Sequence, residues 1–252
     1  MFAFVPKDTH FPGTLLRLAL GMALMAMTGT ALANKPDNIT EAEMKLLPRY
    51  CPDTMGFNYG DAYYNTSPKA GHWVALMGHG FWAMHHYCWA QINLSRAQKA
   101  GTPAPTRKAL WESVRGDYMY VLNHTTADFI MLPEIYSRLG EVELLLAQPD
   151  RANDAFAKAR QLKPDYWPAY SHWAEFLMKI GRRPEALKVV GSGLAYSPNA
   201  KVLLEQFRVL GGKTSDIPKL PEKPEAQTDA VKQDESTKED VPAVPDSERG
   251  EK

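Results

Sequence analysis

The sequence predicts an all-α fold: helix–turn–helix hairpins stacked as a repeat solenoid, with an irregular N-terminal segment and a disordered C-terminal tail. Three observations predict it. Residue classes recur with a period of 34 between Tyr136 and Pro198. The recurring positions fall at helical spacing. Proline closes each unit, where a helix must stop. Composition agrees. The chain has 252 residues, 44% apolar and 23% charged, which is ordinary for a protein with a packed core. Its formal net charge of zero argues against a bulk nucleic-acid binder. Two cysteines are too few for a cysteine-rich zinc module or a multi-disulfide miniprotein.

Residues 1–33 read as a signal peptide. Lys7 and Arg17 precede a run from Leu18 to Ala33 with no charged residue, ending in Ala31-Leu32-Ala33. Small residues at the first and third of these places fit cleavage after Ala33. The run is short for a membrane span, which needs about 20 apolar residues. No cysteine follows Ala33, which argues against a lipoprotein. The mature chain is expected to begin at Asn34, to work in an oxidising compartment, the periplasm, and to keep no membrane span.

Residues 34–70 read as a short helix and a loop. Thr40-Glu41-Ala42-Glu43 is a capping-box signature opening a helix that runs through Leu47, before Pro48. Arg49 to Pro68, with its Asn, Asp, Gly and Tyr residues, reads as loop. Residues 71–132 read as an irregular hairpin, with helices over Met77–Arg96 and Thr106–Asn123. The connector between them carries Gly101, Pro103 and Pro105.

The period itself lies in residues 133–166 and 167–200. Tyr136, Leu139 and Gly140 correspond to Tyr170, Trp173 and Ala174. Ala152, Phe156, Ala159 and Pro164 correspond to Ala186, Val190, Gly193 and Pro198. The first set sits at i, i+3, i+4 and the second at i, i+4, i+7, so each defines one face of a helix. A small residue on each helix lets the backbones approach while the partner's large residue fills the gap. One such hairpin cannot bury its apolar face alone, so neighbours must stack. Upstream, Cys88-Trp89-Ala90 echoes His172-Trp173-Ala174, and Val114, Tyr118 and Val121 repeat the second face. Residues 201–212 form an amphipathic capping helix ended by Gly211-Gly212.

These residues resemble the tetratricopeptide repeat, over about Pro133 to Ala200. Glu143 departs from the pattern, being charged where the family favours a large residue. The resemblance implies a right-handed superhelix whose concave groove, lined by the first helix of each hairpin, grips a peptide. On the helical wheel Glu134, Ser137, Arg138 and Glu141 point away from the core face, as do Ser171, His172, Glu175 and Lys179 in the next hairpin. These eight are the expected peptide-binding groove, and mixed charge there suits charge-assisted hydrogen bonds to a polar peptide.

Cys51 and Cys88 form an even pair, which outside the cytoplasm favours a disulfide. It would pin the front segment to the first hairpin and stabilise by roughly 4 kcal/mol on the chain-entropy account. A competing reading is a redox or metal-binding protein centred on Cys51, Cys88 and His85. His72, His79 and His86 are seven apart, so on one helix they share a face, yet successive members are about 10 Å apart and cannot reach one ion. No Cys-x-x-Cys-His exists for haem. Gly78-His-Gly80 and Gly191-Ser-Gly193 lack phosphate-binding spacing, and no Gly-x-Ser-x-Gly occurs. No metal, cofactor or enzymatic activity is therefore expected.

Residues 213–252 hold seven Lys/Arg, eleven Asp/Glu and no aromatic residue. Such a segment cannot bury enough apolar surface to offset its ordering entropy. The expected function is an exported, non-catalytic scaffold of the bacterial cell envelope. It would dock another envelope protein or peptide, possible settings by analogy being assembly or export of an envelope component.

Overall fold

Why the chain is helical is visible at the start of most helices. The computed structural model describes residues 35–57 and 67–220. The expected signal peptide and the tail beyond Leu220 lie outside them. The chain divides between Lys219 and Leu220, and the description below concerns the part before that point. Among the described residues every regular element is helical and none is a strand. Helix α1 spans Glu41–Leu46 and opens on a complete capping box: Thr40 Oγ1 accepts from the Glu43 amide, and the Glu43 carboxylate accepts from the Thr40 amide. Then follow α2 (Ala70–Met77), α3 (Met84–Gln98), α4 (Ala104–Asn123), α5 (Leu132–Leu145), α6 (Pro149–Leu162), α7 (Pro168–Lys179), α8 (Arg183–Tyr196) and α9 (Lys201–Val209). Each of α4 to α8 carries proline in its first two positions, where no helical N–H is lost.

Consecutive helices pair: α3 packs on α4, α5 on α6, α7 on α8, and α9 closes on α8. The 34-residue period extends into the backbone. Ala147 and Gly181 both have positive φ, 58° and 80°. The Gln148 amide bonds the Glu143 carbonyl at 2.8 Å, and Arg182 bonds Leu177 at 2.8 Å. Where the second helix of each pair ends, the Lys163 amide bonds Ala159 at 3.0 Å, and Ser197 bonds Gly193 at 2.8 Å. The small-against-large packing is also in place. A Cβ on Gly140 would lie 2.8 Å from the ring of Phe156, and one on Gly193 would lie 2.7 Å from Leu203.

Two expectations need correction. Met77–Arg96 is not one helix. Gly78 adopts φ 77°, ψ −175°, a conformation nearly closed to other residues, and a short 3-10 turn over His79–Ala83 follows. His72, His79 and His86 therefore lie on three different elements and do not share a helical face. Nor does order end at Lys213. Thr214–Asp216 forms a 3-10 turn, the Lys213 amide donates to Asp216 Oδ2 at 2.7 Å, and Ile217 packs on the core of α7–α9. Gly191 permits this approach, since a Cβ there would meet the Asp216 carbonyl at 2.5 Å.

The core lies in two larger clusters. One joins the front segment to α3, α4 and α5 around Phe81, Met84, Trp89, Tyr118 and Ile135. The other joins α7, α8 and α9 around Tyr170, Leu177, Val190 and Leu203. Phe156 with Ala152, Ala159 and Ala169 lies between them in sequence and forms a smaller cluster. The Cys51–Cys88 disulfide is present, buried in the first cluster.

Candidate functional site

The first helices of successive hairpins, α3, α5 and α7, bring charged side chains together. Tyr87 Oη, from α3, donates to Glu134 Oε1 at 2.5 Å. Arg138 lies between two carboxylates one turn to either side, 3.8 Å from Glu134 and 3.6 Å from Glu141. Glu141 reaches across to α7, where His172 Nε2 is 3.5 Å away. One turn further, Lys179 pairs with Glu175 at 2.8 Å. Burial raises the pKa of Glu141 against the opposing pull of His172 and Arg138. Burial, and then the negative charge of Glu134, pushes the Tyr87 phenol well above its ordinary range. Arg138 resists its own burial because Glu141, Tyr87, Tyr118 and Glu134 favour its cation.

A cleft of about 360 Å³ opens at the Glu141 end of this row. Leu144, Leu145 and Phe176 give it apolar surface. Gln98, Glu141, His172, Glu175 and Lys179 supply its polar lining. Gln98 also borders a smaller cleft of about 200 Å³ between α1 and α3, where Leu46, Leu47, Ile92 and Leu94 are found.

Of the eight residues expected in the groove, the structure links Glu134, Arg138, Glu141 and His172 and places Glu175 and Lys179 beside them. Ser137 and Ser171 are the corrections: both are buried, at 1% and 5% exposure. The wheel assumed one core face per helix, but a stacked first helix is covered on two. Helix α5 packs on α4 as well as α6, burying Ile135 and Val142 besides Leu139 and Gly140. Helix α7 is likewise flanked, and Gln206 of α9 donates to the Ser171 carbonyl at 3.1 Å. Sequence reasoning missed Tyr87, Gln98, Leu144, Leu145 and Phe176. The 34-residue alignment could have supplied Leu145, which corresponds to the expected groove residue Lys179. Nothing local marks Tyr87 or Gln98.

A second polar cluster lies inside the first hairpin. His86 Nδ1 is 2.7 Å from Asp117 Oδ1, with both side chains buried. Tyr120 stacks on His86 at 3.7 Å, and His85 directs Nδ1 to the Trp82 carbonyl at 2.9 Å. Burial holds His86 down to about 4 and Asp117 up to about 8. The Cys51–Cys88–His85 constellation does not form a ligand set. The two sulfurs are bonded to each other and present no thiolate. Among the described residues no three His, Cys, Asp or Glu side chains are placed to hold a metal ion, and no helix is long and apolar enough to cross a membrane. No protein-family model matches the chain, and no curated protein matches it.

Proposed function

We propose that this chain is an exported helical-repeat scaffold of the tetratricopeptide kind, whose aligned first helices dock a polypeptide of the bacterial envelope. The carrying observation is the cleft to which three successive first helices contribute: Gln98 from α3, Glu141 and Leu144 from α5, and His172, Phe176 and Lys179 from α7. Its volume, about 360 Å³, lies within the roughly 300–1,000 Å³ of small-molecule sites, but those are mostly apolar, whereas the mixed apolar and charged lining here suits a peptide better. The hydrogen bonds that recur 34 residues apart support the repeat reading and its solenoid stacking. The buried disulfide supports an oxidising compartment, as the leader sequence does. The His86–Asp117 pair carries no catalytic reading, because both groups are sealed from substrate.

Affinity purification of the full chain under cross-linking tests this. Leu145→Ser and Phe176→Ser, which remove apolar lining of the cleft without changing its charge, should each lose the partner, whereas Lys188→Glu, on the exposed side of α8, should retain it, with helical content equal by circular dichroism. Partners unchanged in both groove variants would overturn the assignment.

A further inference from the structure

We infer that the cleft between α5 and α7 receives a peptide segment in which an apolar side chain is followed closely by Lys or Arg. The apolar side chain seats on Leu144, Leu145 and Phe176, and the cation meets Glu141. The inference rests on the docking reading above and names the partner's chemistry.

The apolar half follows from exposure. Leu145 is 41% exposed, and Leu144 and Phe176 are half-buried beside it in the cleft. A volume of about 360 Å³ fits one or two side chains. Covering these residues removes apolar surface from water, which favours an apolar anchor.

The charged half follows from which ions already have partners. Lys179 is held by Glu175 at 2.8 Å. An acidic ligand recruiting Lys179 would strip that carboxylate of its cation and bring a third carboxylate toward Glu141 and Glu175. Like charges in a site being dehydrated are strongly unfavourable. Glu141 has Arg138 and His172 at 3.6 and 3.5 Å, both longer than a hydrogen bond. Its raised pKa has burial as the leading cause, so the nearby cations do not fully compensate its lost hydration. A ligand closing the cleft dehydrates it further, and a Lys or Arg side chain supplies the missing donors.

The test is an array of octapeptides with a fixed central Leu or Phe and Arg, Glu or Ser two positions later, probed with the full chain. Control peptides carry Ser in place of the apolar residue. The Arg series should bind about tenfold more tightly than the Ser series, a difference on the scale of one charge-assisted contact, and the Glu series should stay at background. Glu141→Gln should bring the Arg series down to the Ser series. Leu145→Ser, at an exposed position, should weaken every series that binds. A Glu series equal to or tighter than the Arg series, or an Arg preference surviving in Glu141→Gln, overturns this inference. Docking in the cleft would still stand if Leu145→Ser weakened that binding. No series exceeding the control peptides would overturn both.

Discussion

At the scale of single residues, the buried His86–Asp117 pair sets how the first hairpin responds to pH. Asp117 is fully buried, and its Oδ2 has no hydrogen-bond partner. Burial moves the two groups in opposite directions, to about 8 for Asp117 and about 4 for His86. Between those values the folded pair keeps one proton and no net charge. In the unfolded chain, Asp is ionised above about 3.9 and His is protonated below about 6.5. Near pH 5 both states of the pair hold one proton, so the pair contributes no slope there; the neighbouring His85, lowered by burial to about 4, makes stability rise with pH up to about 6.5. From about 6.5 to 8 the folded pair keeps its proton while the unfolded chain has lost it, so stability falls as pH rises. Urea unfolding followed by tryptophan fluorescence should show a loss on the order of 2 kcal/mol between pH 6.5 and 8.5. Asp117→Asn should flatten that slope. An unchanged slope in the variant would assign the dependence to other groups. Nothing in the sequence announced this pair, because His86 and Asp117 are 31 residues apart and meet only when α3 packs on α4.

At the scale of elements, the structure matches the sequence reading where spacing alone decides and departs where backbone conformation decides. Helices α5 to α9 were legible because apolar residues recur at helical spacing and prolines mark their ends. The α1 boundary was legible because the capping box is a local hydrogen-bond pattern. The break between α2 and α3 was not. Gly78-His-Gly80 carries enough apolar neighbours to continue a helical pattern, and φ has no signature in composition. Two glycines in this region make the point testable. Gly71 sits in α2 with open space around its Cα, so Gly71→Ala should stabilise by about 0.5–1 kcal/mol. Gly78 also has open space, but its φ of 77° and ψ of −175° are costly for alanine. Gly78→Ala should destabilise by about 1–3 kcal/mol. Thermal melting of the two variants should therefore shift in opposite directions; shifts of one sign would mean that the turn is not fixed by Gly78. The cleft was only partly legible for a related reason. A wheel shows which arc of one helix is apolar, but Ser137 and Ser171 became buried through neighbours that the wheel does not contain.

At the scale of the whole molecule, the division of the core predicts how stability is distributed. The disulfide ties Cys51, ahead of the paired helices, to Cys88 on α3, across 37 residues. Glu43 adds a second tie, accepting from Arg96 Nε at 2.8 Å and from Lys99 Nζ at 3.2 Å. Both ties fall within the first core cluster; none reaches α7, α8 or α9, whose apolar residues form a separate cluster. Closing a loop of this length restricts the unfolded chain by roughly 4 kcal/mol. Cys51→Ser/Cys88→Ser should lose up to that amount, and the loss should be local. The helices pack chiefly on their neighbours in sequence, so each pair draws stability from its own interior and its adjoining interfaces. Amide hydrogen exchange should therefore accelerate in Glu41–Leu46 and Met84–Gln98 while protection in Arg183–Tyr196 stays as in the wild type. Phe156 and the small cluster around it are the physical link by which the effect could spread. Equal acceleration from Glu41 to Val209 would show that this link makes the helices one cooperative unit, and would refute the two-cluster account.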